Sequence, residues 1–281
     1  MMVLDARVIE RAVRLALEED IGHGDITTNS IVPTDKHGHA VLWAKEPGFI
    51  AGLDVAEMAF RIVDPTLTIT RIIKEGEQVA KGQTLMEVSG SARSILTAER
   101  IALNFLQRLS GIATRTAKFV DLVRYYNAKI VDTRKTTPGL RALEKYAVVV
   151  GGGRNHRFGL FDAVLIKDNH IEIAGGVKQA VMAARQQIPH TMRIEVECES
   201  LEQIDEALEV KADIIMLDNM TPEMMREAVE KIAGRALTEA SGGVTEETIV
   251  DTAKSGVDYI SIGALTHSIK ALDISLDIEA K

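Results

Sequence analysis

Cysteine is almost missing from this 281-residue sequence: Cys198 stands alone, so no disulfide can close within the chain. A single thiol suits a reducing compartment, and a cytoplasmic location is expected. Aromatic residues make up only 4%, and the net charge is −8. A dedicated nucleic-acid binder needs a basic face and stacking rings, so both numbers argue against that class. No apolar run approaches the roughly eighteen residues that a membrane span requires, and no membrane partner is expected. The first twenty residues, MMVLDARVIERAVRLALEED, spread charge over an amphipathic helical pattern and lack the continuous apolar core of a signal peptide. What is plentiful is ordinary for a globular protein, with 46% apolar and 26% charged residues. The length suits one large α/β domain, or a mid-sized domain with a smaller one.

Two patterns divide the chain. Up to about residue 93 the segments are mixed. The spacing predicts a helix near Val8–Glu19, a strand His39–Lys45, a helix Leu53–Val63, and strands around Leu67–Ile73 and Thr84–Val88. KEGEQVAKGQTLMEVSG resembles the turn-rich half of a biotinyl/lipoyl-type β-structure, without the modifiable lysine at a hairpin tip, and reads as scaffold. Ile101, Phe105, Leu109, Ile112, Phe119 and Val123 then recur at helical spacing, with Gly111 expected to split or bend the helix.

From Lys129 onward short β-branched runs alternate with amphipathic helices. The strands are Lys129–Asp132, Ala163–Lys167, Arg193–Glu197, Asp213–Leu217, Ala236–Glu239 and Tyr259–Ile262. The helices are Leu140–Val150, Gly176–Gln187, Leu201–Glu209, Pro222–Ala233 and Thr245–Ser255. Such alternation implies parallel strands joined by right-handed crossovers. An open doubly wound sheet and a barrel both fit. The barrel is favoured because the strands end in Asp132, Lys167, Glu197, Asp218, Glu239 and Gly263. Barrel enzymes draw their sites from the C-terminal ends of all strands, whereas an open sheet concentrates them at one switch point. With six strands the barrel is incomplete. The expected domains are an N-terminal α/β domain over 1–112 and a barrel over 113–270. A final strand from LDISLDI, 271–281, is expected to return to the N-terminal domain.

The segment DTRKTTPGLRALEKYAVVVGGGRNHRFGLFDAVLIKDNH, residues 132–170, carries the most chemistry. It sets Arg134 and Lys135 just past one strand, His156 and Arg157 after a triple glycine, and Lys167 at the end of the next strand. Adjacent parallel strands lie about 5 Å apart, so these cations crowd one mouth. Crowded like charges call for an anion among them, and arginine's planar fork suits carboxylate or phosphate. Facing them are Glu197 in RIEVECES and Asp218 in DIIMLDNM. Such carboxylates can accept hydrogen bonds from sugar hydroxyls or help hold Mg²⁺ through water; equally, they can pair with Lys135 or Lys167. Glu195 shares the face of Glu197 by strand alternation. The last two βα turns, EASGGV and SIGAL, are glycine-rich and precede expected helix starts, where backbone N–H groups can hold phosphate.

DTRKTTPGLR, GGGRNHR, LIKDNH, IEVE, IMLDN, SGG and IGALTHS, in this order, resemble the quinolinate phosphoribosyltransferase family, as do EDIGHGDITT and LTAERIALNFLQRLSGIAT. The likeness covers essentially the whole chain. It implies an α/β sandwich-like N-terminal domain followed by an incomplete parallel α/β barrel of the type II phosphoribosyltransferase kind, assembled at least as a homodimer, with dimer or hexamer left open. It also implies the activity: quinolinate and phosphoribosyl pyrophosphate give nicotinate mononucleotide, CO₂ and pyrophosphate, with Mg²⁺ as cofactor. Carried over residue by residue, Arg134, His156 and Arg157 grip the quinolinate carboxylates, with Arg100 and Lys167 completing the cationic wall. Lys135 and Lys167 meet the pyrophosphate. Glu197 and Asp218 bind the ribose hydroxyls and the metal environment, indirectly. Ser241, Gly242, Gly243 and Gly263 hold the 5′-phosphate. Ala240 stands where the family often has a second serine, which removes a hydroxyl donor and leaves the backbone donors. The rival readings are a nicotinate-specific or molybdenum-locus relative, a Schiff-base aldolase built on Lys167, and a non-catalytic nucleotide-binding barrel.

Overall fold

In the computed structural model, which describes residues 4–280, the chain begins with α1 (Ala6–Ile21), α2 (Ile26–Ile31), β1 (His37–Ala44), β2 (Gly48–Phe49) and α3 (Leu53–Val63). There follow β3 (Thr68–Arg71), β4 (Gln78–Val79), β5 (Thr84–Ser91), α4 (Ala92–Leu122), β6 (Lys129–Val131) and α5 (Arg141–Val150). Next come β7 (Val164–Ile166), α6 (Asp168–Ala174), α7 (Val177–Gln187), β8 (Ile194–Cys198), α8 (Leu201–Glu209), β9 (Ile214–Asp218) and α9 (Pro222–Ile232). The chain ends with β10 (Leu237–Ser241), α10 (Ile249–Lys254), β11 (Tyr259–Ser261), α11 (Ala264–His267) and β12 (Ile274–Ala280).

Two units result. The first takes the chain through Ala117, then Thr136–Gly152, then the part from Leu265 on. It holds an antiparallel sheet in the order β12-β1-β5-β3, and the small pair β2-β4. β1 buries alternate residues, Ala40, Leu42 and Ala44, as a strand with one covered face must. The last strand of the chain, β12, pairs with β1 from Ala44↔Ile274 to Gly38↔Ala280. The sequence reading divides the chain at 112 and 270, whereas here residues 136–152 belong to the first unit. Side-chain bonds explain it: Glu144 on α5 is fully buried and accepts from Arg108 Nε of α4 at 2.9 Å.

Gly111 does not split α4, which runs unbroken through it. A methyl group there would collide with the Lys270 carbonyl and lie 3.0 Å from Ala271 Cα. The glycine serves close packing against that passing backbone rather than flexibility.

The second unit takes Lys118–Lys135 and Gly153–Ala264. Its six strands run in the order β6-β11-β10-β9-β8-β7, every neighbouring pair parallel. From β7 to β11 each strand lies beside the next in sequence, and the first strand, β6, pairs with the last. That pairing is what a sheet produces when it wraps round on itself, and it yields an incomplete α/β barrel. On the free side of β6, Arg154 forms a single parallel bridge with Val131. The covering helices bury one stripe each, such as Ile204 and Ala207 of α8 or Met225, Ala228 and Ile232 of α9. Ser200 and Thr221 cap these two helices through their hydroxyls. The short elements α2, α6 and α11 were not anticipated from the pattern, being too brief to show a period.

Candidate active site

The site is best built outward from β8, whose sequence IEVEC puts Glu195 and Glu197 on one face and Val196 and Cys198 on the other. Glu195 is buried, and its Oε2 lies 3.0 Å from His156 Nε2. Glu239 of β10 is buried too, with Oε1 3.6 Å from the same nitrogen. Burial, then the nearby Glu195, pushes Glu239 up to about 8, so it holds a proton at neutral pH. One oxygen on each of these carboxylates has no hydrogen-bond partner among the described residues.

His156 is held from its backbone as well. Asp132, fully buried just past β6, accepts the His156 N–H at 2.9 Å and the Asn155 side-chain amide at 2.5 Å. The triple-glycine loop is thereby pinned to the end of the first barrel strand. His156 Nδ1 accepts the Arg157 N–H at 2.7 Å. A ring nitrogen that accepts carries no proton, so in the neutral ring the proton sits on Nε2 and is donated to Glu195. The ligand atoms of His156, Glu195 and Glu239 lie within 4.8 Å of one another, the spacing of a metal triad. The tautomer argues against that use, because a protonated Nε2 has no lone pair to give.

Near Glu195 stand arginines. Arg157 donates through Nη1 to the Ala163 carbonyl at 3.1 Å. Burial, then the neighbouring Arg134 charge, lowers its pKa from the ordinary arginine value. Two guanidinium groups close enough to disfavour one another mark a place prepared for an anion. Lys167 Nζ reaches Glu197 Oε2 at 3.1 Å. Lys135 is exposed, and its N–H donates to Thr133 Oγ1 at 3.0 Å.

The acidic side lies at the ends of β8 and β9. Burial raises the Glu197 pKa, Lys167 opposes the shift, and the charges of Asp218 and Asp168 add to it. Asp218 Oδ2 accepts from Asn219 Nδ2 at 2.6 Å. Asn219 sits at φ 53°, and its N–H donates to the Ser241 carbonyl at 3.0 Å. Beyond Ser241, Gly242 and Gly243 both take positive φ, 101° and 58°.

The chain matches "Quinolinate phosphoribosyl transferase, N-terminal domain" over residues 25–110 and the C-terminal domain of the same name over residues 112–277. This chain belongs to the quinolinate phosphoribosyl transferase family. It is 47% identical over 292 residues to a chloroplastic nicotinate-nucleotide pyrophosphorylase (carboxylating) of Arabidopsis thaliana, covering 97% of this chain and 83% of that protein. Over 260 residues it is 46% identical to the probable nicotinate-nucleotide pyrophosphorylase (carboxylating) of Bacillus subtilis, covering 92% and 90%. Among solved structures it resembles NadC from Streptococcus pyogenes, with a TM-score of 0.96, 44% identity and full coverage of both chains. The nicotinate-nucleotide pyrophosphorylase of Francisella tularensis gives 0.95 and 43%, over 99% and 98% of the chains.

Within this phosphoribosyl transferase, the second unit brings together most residues singled out from sequence: Arg134 beside Arg157, His156 below Arg157, Lys167 on Glu197, and Asp218 near Glu197. His156 has both ring nitrogens engaged inside the chain. Two expectations of local structure change. The Ser241-Gly242-Gly243 turn does not lead directly into a helix, since α10 begins only at Ile249 after a Thr245–Thr248 turn. Gly263 precedes only the four-residue α11. Any phosphate donors there belong to backbone turns rather than to a helix terminus of useful length. Arg100, on α4 of the first unit, is exposed and makes no ion pair with another described residue; its charge only opposes the raising of the Glu99 pKa. Sequence reasoning left Glu239, Asp132, Asn155 and Asn219 without roles. Strand-end position pointed to the first two; nothing in pattern pointed to the asparagines.

Proposed function

We propose that the protein is a decarboxylating quinolinate phosphoribosyltransferase, forming nicotinate mononucleotide, CO₂ and pyrophosphate from quinolinate and phosphoribosyl pyrophosphate, as a step of NAD biosynthesis. The observation that carries this reading is the partly buried Arg134–Arg157 pair, near the buried Glu195 and in the same unit as Glu197 and Asp218. A substrate with two carboxylates on neighbouring carbons matches two guanidinium groups, whereas nicotinate offers only one carboxylate.

Arg134 and Arg157 hold the quinolinate carboxylates, and Lys167 and Arg100 complete the cationic wall. His156 supports the Arg157 backbone through Nδ1. Lys135 and Lys167 receive the pyrophosphate, Glu197 and Asp218 the ribose hydroxyls, and Ser241, Gly242, Gly243 and Gly263 the 5′-phosphate. The pyridine nitrogen attacks C1 of the ribose as the C1–O bond to pyrophosphate breaks and the pyrophosphate leaves with the bonding pair. The ring nitrogen is now quaternary. When the adjacent C–CO₂ bond breaks, the pair left on the ring carbon is stabilised by that positive nitrogen, and the carbon then takes up a proton. The enzyme's part is placement and electrostatic stabilisation.

Mg²⁺ is the proposed cofactor. Glu197, with Asp218 and Asp168 close enough to oppose its ionisation, offers the all-oxygen, negatively charged surroundings that a hard cation takes. Glu197 and Asp218 would hold it through water or substrate, and bound there it supplies charge neutralisation to the departing pyrophosphate. The working assembly is a homodimer at least, with Arg100 serving the site of a partner subunit, and the location is cytoplasmic. None of the helices among the described residues is long and apolar enough to cross a membrane.

Product analysis tests the core of this reading. Incubation with quinolinate and phosphoribosyl pyrophosphate should yield nicotinate mononucleotide, CO₂ and pyrophosphate in equal amounts, and excess EDTA should stop it. Turnover of nicotinate in preference to quinolinate would overturn the assignment. Subunit exchange between Arg100→Ala and Lys135→Ala proteins, each inactive alone, should restore activity; verified heterodimers without activity would remove Arg100 from the partner's site.

A further inference from the structure

Asp218 and the Ser241–Gly243 turn lie at the ends of adjacent strands, β9 and β10, paired through Asp218↔Ser241. One residue sits between them. Asn219 leaves β9 at φ 53°, a left-handed conformation that asparagine tolerates better than most residues. From there it makes two bonds in different directions: its side-chain amide donates to Asp218 Oδ2 at 2.6 Å, and its backbone N–H donates to the Ser241 carbonyl at 3.0 Å. Its third contact is steric. A β-carbon on Gly242 would collide with Asn219 Oδ1 and stand 2.8 Å from Cγ and 2.9 Å from the backbone nitrogen. Gly242 is therefore required by Asn219 as well as by its own φ of 101°. The glycine that reads as a phosphate-binding feature is, at this position, first a place for an asparagine. Gly243 differs, since nothing lies within 4 Å of a β-carbon placed there.

We infer that Asn219 is a positioning residue that sets the spacing between the ribose-binding carboxylate of Asp218 and the 5′-phosphate turn at Ser241–Gly243. With Oδ2 occupied by the amide, Asp218 can present its other oxygen to a sugar hydroxyl in a fixed orientation. With Ser241 tied to the Asn219 N–H and Gly242 packed on the side chain, the turn cannot move without moving Asp218. Ribose 5-phosphate spans only a limited range of distances between its ring hydroxyls and its phosphate, so holding the two receptors at one separation favours that sugar phosphate over much longer or shorter anions. The inference rests on the assignment of Asp218 and this turn to phosphoribosyl pyrophosphate.

Asn219→Gly is the decisive variant, because glycine keeps both the positive φ and the N–H to Ser241 and removes only the side chain. The KM for phosphoribosyl pyrophosphate should rise about tenfold, on the scale of one charge-assisted hydrogen bond, while the quinolinate KM stays within twofold and Tm is unchanged. Asn219→Asp, which also tolerates positive φ, replaces the donor by an acceptor facing Asp218 and should raise the same KM further. If the Asn219→Gly protein is poorly folded, Asn219→Asp carries the test alone. A KM for phosphoribosyl pyrophosphate within twofold of normal in a folded variant overturns the inference, as does an equal loss for both substrates. Asp218→Asn separates the two failures. If Asp218→Asn is impaired towards phosphoribosyl pyrophosphate and Asn219→Gly is not, only the positioning role falls. If Asp218→Asn behaves normally, the assignment of the sugar site itself falls.

Discussion

Glu195 and Glu197 lie two residues apart on one face of β8 and lead opposite lives. Glu195 is buried against His156 beside Glu239. Glu197 faces Lys167, whose side chain is 46% exposed, and feels the charges of Asp218 and Asp168. A step of two residues along a strand is about 6.6 Å, enough in a barrel to pass from the packed interior to the mouth. On the proposed reading the lower carboxylate holds the fold around the arginines and the upper one handles ligand. The same residue type on the same face would then do two jobs because its surroundings differ.

Separate losses would show the division. At the mouth, Arg157→Ala and Lys135→Ala should each lower kcat/KM roughly 10²-fold, the scale of one lost charge-assisted contact in a dry site. Arg157→Ala should act chiefly on quinolinate and Lys135→Ala on the sugar-pyrophosphate step. Lys167→Ala should match them in activity, yet change unfolding free energy by less than about 1 kcal/mol, since the ion pair with Glu197 is solvent-screened. Below the mouth the balance reverses. His156→Ala leaves Glu195 and Glu239 without their shared partner and should cost about 3 kcal/mol in denaturant unfolding, within the range for breaking a buried pair. A stable His156→Ala protein with only a quinolinate defect would mean that His156 binds substrate directly, and the comparison would fail.

Glu239 offers a finer test through pH. Its folded pKa, about 8, lies above its ordinary value of 4.5. Between those values the folded state keeps a proton that the unfolded chain has released. Unfolding then releases a proton, so the contribution of this group to stability is whole below pH 4.5 and declines as pH rises towards 8. The slope is at most about 1.4 kcal/mol per pH unit. Glu239→Gln cannot ionise and lacks this slope. The stability difference between the variant and the parent should move in favour of the variant across that interval. Parallel stability curves would show that Glu239 is already ionised in the fold.

The fold could be read from sequence where elements were long and periodic. α3 and α8 fall on their expected bounds, and all six barrel strands lie within two residues of expectation. The wrapping of the sheet could be anticipated from polar residues at nearly every strand end. Other features depend on long-range contact and leave no local period. Gly111 resembles a helix breaker until the backbone of Lys270 and Ala271 is seen against it. The engagement of both His156 ring nitrogens, one by Glu195, thirty-nine residues away in sequence, and one by the next N–H, has no local signal either. Asn219 has no motif of its own, because its role arises from two strands lying side by side.

Cys198 completes the set on β8 and should give the smallest effect. It is the next residue after Glu197 and points to the opposite face, where it is fully buried. Burial, then the charges of Glu197 and Glu206, pushes its thiol up to about 12, so the nucleophilic thiolate is scarcely populated at neutral pH. It has neither the access nor the ionisation that covalent catalysis demands. Cys198→Ala removes one buried sulfur and should cost on the order of 1 kcal/mol of stability. The kcat and both KM values should stay within twofold of the parent, and thiol-directed reagents should not react with the native protein. A folded Cys198→Ala protein without turnover would force a thiol into the mechanism, and the face of β8 that carries the chemistry would have to be reassigned.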